Sequence, residues 1–205
     1  MLKVLIAVPS MDMVSARFAQ SLAAIQKPCE SAVAFQIGSL IYDARNKLVQ
    51  QAIKYEADYI MWLDSDMVFP PDTLVRLFED IREGRDIVTG LYFRRVLPFK
   101  PVIYKALGRD VKTEDYEDYP RDEIFEVAGC GFGCVLMKTD VISRVTGRFG
   151  KPFTPMIDYG EDLAFCLRAA ETGTEIWCDP TARVGHIAHV PVYPEDHKAA
   201  LAARG

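Results

Sequence analysis

The sequence lacks a long apolar run and a cluster of basic residues, and each absence excludes a class of protein. No stretch approaches the roughly 20 apolar residues that a membrane-spanning helix requires. The 24 lysine and arginine residues are scattered along the chain, and 29 acidic residues outnumber them, which gives a net charge of −5. We therefore expect no integral membrane segment. We also expect no nucleic acid partner, since the sequence has no basic stripe that could follow a phosphate backbone.

Signals for export and for disulfide bonds are also scarce. The opening MLKVLIAVPSMD has one lysine before a short apolar run and then a proline, which is too short for a signal peptide. The cysteines are odd in number and form no CxxC spacing, so neither a disulfide framework nor a zinc site is indicated. We expect a cytoplasmic protein with reduced, mostly buried thiols at Cys29, Cys130, Cys134, Cys166 and Cys178.

The first half of the chain alternates between strand and helix patterns. Leu2 to Val8 is an apolar run without helical period, which predicts a buried parallel strand that we place at the centre of a sheet. The spacing from Ile41 to Tyr55 predicts a helix with one face on that sheet. Related patterns predict further strands near 32–37, 59–63, 87–93, 124–127, 135–137 and 175–178, and further helices near 14–25, 72–82, 139–146 and 161–171.

These patterns indicate an α/β fold with a mainly parallel central sheet. The chain has 205 residues, half of them apolar, which suits a single domain over 1–205. Residues 108–122 are polar and acidic and have no period, so we expect a loop or a mobile excursion there.

The segment Asp64-Ser65-Asp66 is the first candidate for chemistry. It directly follows the predicted strand 59–63, and open α/β sheets bind ligands at the carboxyl ends of their strands. Two carboxylates bind Mg²⁺ or Mn²⁺ well when substrate phosphates complete the coordination shell. The same pair also fits a strand-to-helix turn in which one aspartate caps the helix and the other is solvated.

Two later segments carry further candidate groups. Glu161-Asp162 follows Gly160 at a predicted helix start, where acidic residues can simply complement the helix dipole. His186 lies in the closing stretch and could be either a metal ligand or an ordinary loop histidine. His189 is the alternative ligand, and His197 is expected to be solvated.

Taken together, these segments resemble the GT-A class of glycosyltransferases, in particular its family 2-like members. The resemblance runs over nearly the whole chain. It implies a three-layer α/β sandwich of the nucleotide-diphospho-sugar transferase type, with a nucleotide-binding part over about 1–93 and an acceptor-side part over about 94–205. The segments that carry it are Pro9-Ser10 after the first strand, Ala44-Arg45-Asn46, Leu63 to Asp66, Gly129 to Gly133, Gly160 to Asp162, and Gly185-His186.

The resemblance also implies an activity. A metal-dependent enzyme of this kind moves a hexose or related sugar from a UDP- or GDP-sugar to a hydroxyl group of a saccharide or other acceptor, with inversion. Asp66 would bind the metal, Asp64 would bind the metal or the ribose side, and His186 would be the third metal ligand. Mixed imidazole and carboxylate ligands favour Mn²⁺, with Mg²⁺ as the other candidate. Asp162 would be the general base, with Glu161 as its substitute.

Four other positions are candidates for the nucleotide-sugar site. Pro9 and Ser10 end the first strand where a base or ribose would lie, although a plain turn explains them as well. Arg45 could pair with the diphosphate or with Asp43 on the helix surface. Gly131 lies in a G-x-G-x-G segment, which lets backbone approach a ligand or simply kinks a pair of strands.

The group that closes over the donor phosphates is less defined by the sequence. By the resemblance it would be Arg94, Arg95 or the tail around His197, although a solvated charged loop also explains the two arginines.

Two other functions use similar folds and residues. A nucleotidyltransferase would carry a glycine-rich, basic loop after the first strand, and residues 9–14 contain no Gly, Lys or Arg. A non-catalytic glycan- or nucleotide-binding module would have no use for the acidic residues and the histidine that are present here.

Overall fold

The computed structural model describes residues 1–109 and 111–188, which form twelve strands and five helices. The strands are β1 (Lys3–Ser10), β2 (Glu30–Ile37), β3 (Tyr59–Leu63), β4 (Met67–Val68), β5 (Ile87–Leu91), β6 (Ile103–Ala106), β7 (Glu114–Asp115), β8 (Phe125–Val127), β9 (Gly129–Cys130), β10 (Cys134–Lys138), β11 (Ile176–Arg183) and β12 (Gly185–His186). The helices are α1 (Ala16–Ala24), α2 (Ile41–Tyr55), α3 (Thr73–Arg82), α4 (Thr139–Phe149) and α5 (Glu161–Ala170).

Seven strands form the main sheet, in the order β2-β1-β3-β10-β5-β11-β8. Strands β2, β1, β3, β5 and β11 run in one direction, and only β10 and β8 run against them. The predicted α/β fold with a mainly parallel sheet is therefore confirmed. The prediction that the first strand is central is wrong, because β1 lies second from one edge and β10 inserts between β3 and β5.

Helices cover both faces of this sheet because successive residues of a strand point to opposite sides. On β1, Leu5 and Ala7 pack in one apolar cluster with Leu48 of α2. Val4 and Ile6 pack in the other cluster with residues of α1 and α3, among them Phe18, Leu74 and Leu77. The result is the expected three-layer sandwich, with α2, α4 and α5 contributing to the first layer.

The carboxyl ends of the parallel strands meet at one edge of the sheet. Strands β1, β3 and β5 end there at Ser10, Leu63 and Leu91, and β11 ends there at Arg183. A ribbon of β4 and β12 projects from the same edge, with His186 opposite Met67. The two-residue strands of this ribbon were not predicted, because so short a segment has no period of its own.

Residues 111–122 have more structure than the polar composition of this part of the chain predicts. Strand β7 pairs with β6, which pairs in turn with β9 in a small three-stranded sheet. Tyr116 and Tyr119 then pack against the buried ring of Phe125, with ring centroids 5.2 Å and 5.9 Å away. Aromatic burial therefore fixes a stretch that we expected to be an irregular loop.

Among the described residues, no helix combines the length and the apolar character that crossing a bilayer demands. All five cysteines are free thiols, and four of them are buried, as expected.

Asp80 on α3 introduces a pH dependence into the stability of this fold. Burial raises the pKa of Asp80 to about 6, and the nearby charge of Asp179 adds to the shift. One carboxylate oxygen of Asp80 is buried and has no hydrogen-bond partner among the described residues. Because the folded pKa lies above the unfolded one, ionising Asp80 opposes folding, and stability falls as the pH rises from about 4 to about 6.

We predict that Asp80→Asn stabilises the protein by about 1 kcal/mol at pH 7, a value reduced from the full shift because Asp80 is partly exposed. The gain should vanish near pH 4, where Asp80 is protonated. Urea denaturation at both pH values measures this difference. Asp158→Asn, at an exposed aspartate, is the matched control, and an equal gain in both variants would contradict the assignment to Asp80.

Candidate active site

The turn after β3 places the two aspartates at the carboxyl edge of the sheet. The backbone N–H of Asp64 donates to the carbonyl of Gly133, and the N–H of Met67 donates to the carbonyl of Asp64. The nitrogen-to-oxygen distance is 3.1 Å in both bonds. The N–H of Ile187 donates to the carbonyl of Asp66 over 2.8 Å. Residues far apart in sequence are thereby joined at one point, and His186 is placed beside Asp66.

Asp66 and His186 face each other through one oxygen and one nitrogen. His186 Nε2 lies 3.3 Å from Asp66 Oδ2, while His186 Nδ1 lies 2.9 Å from the carbonyl oxygen of Phe93. A carbonyl can only accept, so Nδ1 carries a hydrogen, and in a neutral ring Nε2 presents a lone pair to the carboxylate. Two lone pairs that converge in this way require a proton or a cation between them. With a proton there, His186 is an imidazolium whose Nε2–H donates to Asp66. Burial acts to lower the pKa of His186, but this contact opposes it and the pKa is raised.

Arg95 also contacts this carboxylate. Its Nη1 lies 3.0 Å from Asp66 Oδ2, the same oxygen that faces His186. Burial acts to raise the pKa of Asp66, but the hydrogen bond from His186 and the charges of His186 and Arg95 outweigh it, so the pKa is lowered. Asp66 is therefore an ionised group surrounded by cationic partners.

Arg45 holds a second pair of carboxylates together. Its Nη2 donates to Asp64 Oδ1 over 2.8 Å, and its Nε donates to Glu161 Oε1 over 3.1 Å. The Arg45 side chain is only 2% exposed, and its guanidinium lies over the rings of Trp62 and Phe132. Burial acts to lower the pKa of Arg45, but the two carboxylates outweigh it, so the pKa is raised and Arg45 stays charged.

The predicted partners of Arg45 are thus revised. Asp43 instead pairs with Lys47 over 2.6 Å, so the suggested pairing of Arg45 with Asp43 is wrong. The physical reason is that Arg45 lies on the buried face of α2, whereas Asp43 and Lys47 lie on its exposed side. A direct contact between Arg45 and a diphosphate stays a prediction.

The two acidic residues at the start of α5 differ in their surroundings. Glu161 is bound to Arg45, whereas Asp162 Oδ1 accepts a hydrogen bond from the backbone N–H of Leu163 over 2.8 Å. Burial raises the pKa of Asp162, and the neighbouring Glu161 raises it further. A raised pKa is suited to a group that must take up a proton near neutral pH.

A pocket of about 260 Å³ lies beside the aspartates. Its lining includes four predicted residues, which are Pro9, Ser10, Asp64 and Asp66. Ala44 and Ser65 also line it, and they belong to candidate segments of the sequence without a role of their own. Sequence reasoning did not single out the remaining lining residues, which are Met11, Ser39 and Ile41, because nothing in their local pattern distinguishes them from loop and helix positions.

Gly131 lies away from this pocket, and packing explains why it is glycine. A Cβ atom at Gly131 would collide with the hydroxyl of Tyr92 and would lie 2.7 Å from Val102. Tyr92 is buried and accepts a hydrogen bond from the N–H of Gly133 over 3.1 Å. The role predicted for Gly131 in nucleotide-sugar binding is not needed to explain its lack of a side chain.

The three predicted metal ligands do not form one preassembled group. Among the residues that the structure describes, no three acidic, cysteine or histidine side chains are close enough to enclose a metal ion. Asp64 is directed to Arg45, while Asp66 and His186 form a pair. His189 and His197 lie outside the described residues.

Comparison with known proteins assigns the family. The family model described as "Glycosyl transferase family 2" matches residues 21–145, more than half of the chain. The chain belongs to glycosyl transferase family 2. This glycosyltransferase matches no curated protein.

Solved structures share the GT-A fold of this family 2 protein. A197 from STIV is 18% identical, with a TM-score of 0.62, and the match covers 94% of this chain and 97% of that chain. GalNAc-T7, solved with UDP, GalNAc and Mn²⁺, is 11% identical, with a TM-score of 0.64. That match covers 92% of this chain and 43% of the GalNAc-T7 chain, so this glycosyltransferase spans less than half of its length.

The buried Arg45 should be sensitive even to a conservative change. Arg45→Lys keeps the charge but cannot donate to Asp64 and Glu161 from one planar group. We predict a loss of about 2–4 kcal/mol in the free energy of unfolding, since a buried pair would be broken. Urea denaturation measures this loss. Arg148→Lys, at an exposed arginine paired with Glu171, is the control, and a similar small loss in both variants would contradict the role of Arg45.

Proposed function

We propose that this glycosyltransferase moves a hexose or related sugar from a UDP- or GDP-sugar to a hydroxyl group, with Mn²⁺ or Mg²⁺ and with inversion at the sugar. The acceptor would be a saccharide or another hydroxyl compound. The observation that carries the proposal is the convergence of Asp66 Oδ2 and His186 Nε2 at 3.3 Å beside the pocket of Pro9 and Ser10.

The residues present fit a divalent cation. Asp66 supplies an oxygen and His186 a nitrogen, a mixed set that suits Mn²⁺. The bond between His186 Nδ1 and the carbonyl of Phe93 fixes the tautomer that leaves Nε2 free to bind a metal. When bound, the cation would neutralise the departing diphosphate. Two protein ligands suffice where substrate phosphates complete the shell, and the described residues contain no preassembled group of three.

The donor would occupy the pocket at the end of β1. Pro9 and Ser10 would contact the base or ribose, and Asp64 would contact the ribose side or the metal. Arg45 would act behind Asp64, because its hydrogen bond sets the direction in which that carboxylate points. The nucleotide-binding part would thus comprise about 1–93 of a single domain, with the acceptor-side part from about 94.

Asp162 would act as the general base. Its pKa is raised and it forms no ion pair among the described residues, whereas Glu161 is bound to Arg45. Asp162 would take the proton of the acceptor hydroxyl as that oxygen attacks the sugar carbon. In a single displacement of this kind, the acceptor oxygen attacks from the side opposite the departing diphosphate. The configuration at the attacked sugar carbon is therefore inverted.

The unpaired thiols suit a reducing compartment, so a cytoplasmic location belongs to the proposal.

Donor binding should depend on the metal and on Asp66. In calorimetric titrations we expect UDP or GDP to bind when Mn²⁺ is present, and Asp66→Ala to abolish that binding, because the carboxylate that holds the cation is lost. The nucleotide that binds identifies the base of the donor. Asp158→Ala is the control, since Asp158 is an exposed aspartate outside the pocket.

Absence of nucleotide binding in the presence of Mn²⁺ would contradict the donor site. Binding without hydrolysis or transfer of any donor sugar would favour a non-catalytic module.

Arg95 should compete with the cation for Asp66. Its guanidinium contacts the oxygen that we assign to the metal, so one of the two must move when both are present. We expect Arg95→Ala to bind Mn²⁺ alone several-fold more tightly but to bind UDP with Mn²⁺ more weakly, because the released arginine would contact the diphosphate.

Titration with Mn²⁺ alone, followed by electron paramagnetic resonance, measures the first effect without any assay of activity. Arg94→Ala is the matched control, since Arg94 is paired with Asp115 over 2.7 Å and not with Asp66. Unchanged Mn²⁺ affinity in Arg95→Ala would show that the contact with Asp66 does not compete with the metal.

A further inference from the structure

A second cleft opens at the same edge of the sheet, beyond the ribbon of β4 and β12. It has a volume of about 1080 Å³, and its walls come from the ends of β5 and β11, the start of α3 and the segment 119–122. Phe93 and Gly185 belong to its lining, and they connect it to the candidate active site. The carbonyl of Phe93 holds His186, and Gly185 precedes His186 in β12. We call this cavity the arginine cleft.

Two arginines of the arginine cleft are not paired with an acid. Among the described residues, neither Arg121 nor Arg183 forms an ion pair or a side-chain hydrogen bond, whereas the third arginine, Arg76, is bound to Asp72 over 2.6 Å. The protein as a whole is acidic, with a net charge of −5. Two guanidinium groups that are unpaired among the described residues therefore line one cavity of an acidic protein.

Arg121 is held in place by a ring instead of a carboxylate. Its guanidinium lies 5.6 Å from the centroid of the Tyr119 ring, and Tyr119 in turn stacks on the buried ring of Phe125, with centroids 5.9 Å apart. A cation–π contact orients the guanidinium without occupying its N–H donors. Arg121 is thus positioned in advance and keeps its donors for a ligand with a planar acidic group.

The other groups in the cleft favour a particular kind of anion. Asp122 adds one carboxylate, which repels a densely charged polyphosphate but accepts hydrogen bonds from hydroxyl groups. Phe93 is 37% exposed and offers an apolar surface. Guanidinium groups, one carboxylate and an exposed ring together match a polyhydroxylated molecule that carries carboxylates.

We propose that the arginine cleft binds an acidic saccharide, with Arg121 and Arg183 on the sugar carboxylates and Asp122 on sugar hydroxyls. Because the cleft adjoins His186, this saccharide is the anionic part of the acceptor, a statement that rests on the proposed function. The binding site itself does not depend on it, since the cleft residues are separate from the donor pocket.

The test uses trigalacturonic acid and its fully methyl-esterified form, which have the same size and hydroxyl groups but differ in charge. Calorimetry of the full chain should show binding of the acid and no measurable binding of the ester. The double variant Arg121→Gln with Arg183→Gln should weaken binding of the acid at least ten-fold, as loss of two charge-assisted contacts predicts.

The matched control is Arg109→Gln with Arg148→Gln, which removes the same charge from two arginines that contact Glu171 outside the cleft. Full retention of binding in this control supports the site. Equal weakening in both double variants would show a general charge effect and overturn it, as would absence of binding in the unaltered protein or equal binding of the ester.

Titration of UDP with Mn²⁺ into the same double variants separates the two proposals. Unchanged nucleotide binding with lost saccharide binding is the expected result. A protein that binds no nucleotide but binds trigalacturonic acid through Arg121 and Arg183 would overturn the donor site and leave the cleft intact.

Discussion

A charged guanidinium buried among aromatic rings must be neutralised by nearby acids, and Arg45 imposes this requirement on the centre of the molecule. Its side chain is 2% exposed and lies over Trp62 and Phe132. Removing such a charge from water costs several kcal/mol, on the order of the full stability of many domains, unless carboxylates with good geometry offset it. Asp64 and Glu161 provide that compensation from two different parts of the chain. The two ion pairs of Arg45 therefore offset a cost inside the core and also hold two carboxylates of the candidate site in place.

The acidic residues around Arg45 differ in their partners and in the direction of their pKa shifts. Asp64 and Glu161 are paired with Arg45, Asp66 is paired with Arg95 and His186, and Asp162 forms no ion pair among the described residues. The pKa of Asp66 is lowered beside His186 and Arg95, and the pKa of Asp162 is raised by burial and by Glu161. The two shifts are opposite in direction, and in the proposed mechanism one group stays ionised beside a cation while the other exchanges a proton.

The sequence predicted the strand-to-helix order, the mainly parallel sheet and the segment Asp64-Ser65-Asp66 at a strand end. Those features are local, since an apolar run, its period and the residue that follows it can be read from a few neighbouring positions. The ribbon of β4 and β12 escaped prediction, because two-residue strands exist only through their partner. Three other features also escaped prediction, because each likewise depends on contact with a partner. They are the insertion of β10 between β3 and β5, the burial of Arg45 and the stacking of Tyr119 on Phe125.

The sequence by itself determined the class of fold, the family and the residue types available to the site, because periodicity and motif order are properties of the linear chain. The tertiary structure alone decided which of those residues meet. It placed His186 against Asp66 and Arg45 between Asp64 and Glu161, and it placed Arg121 and Arg183 in the lining of one cavity. The pairs span from 19 to 120 positions of sequence, and no local pattern encodes a contact of that range. Such contacts arise only when strands from both halves of the chain pack into one sheet and their ends converge at one edge.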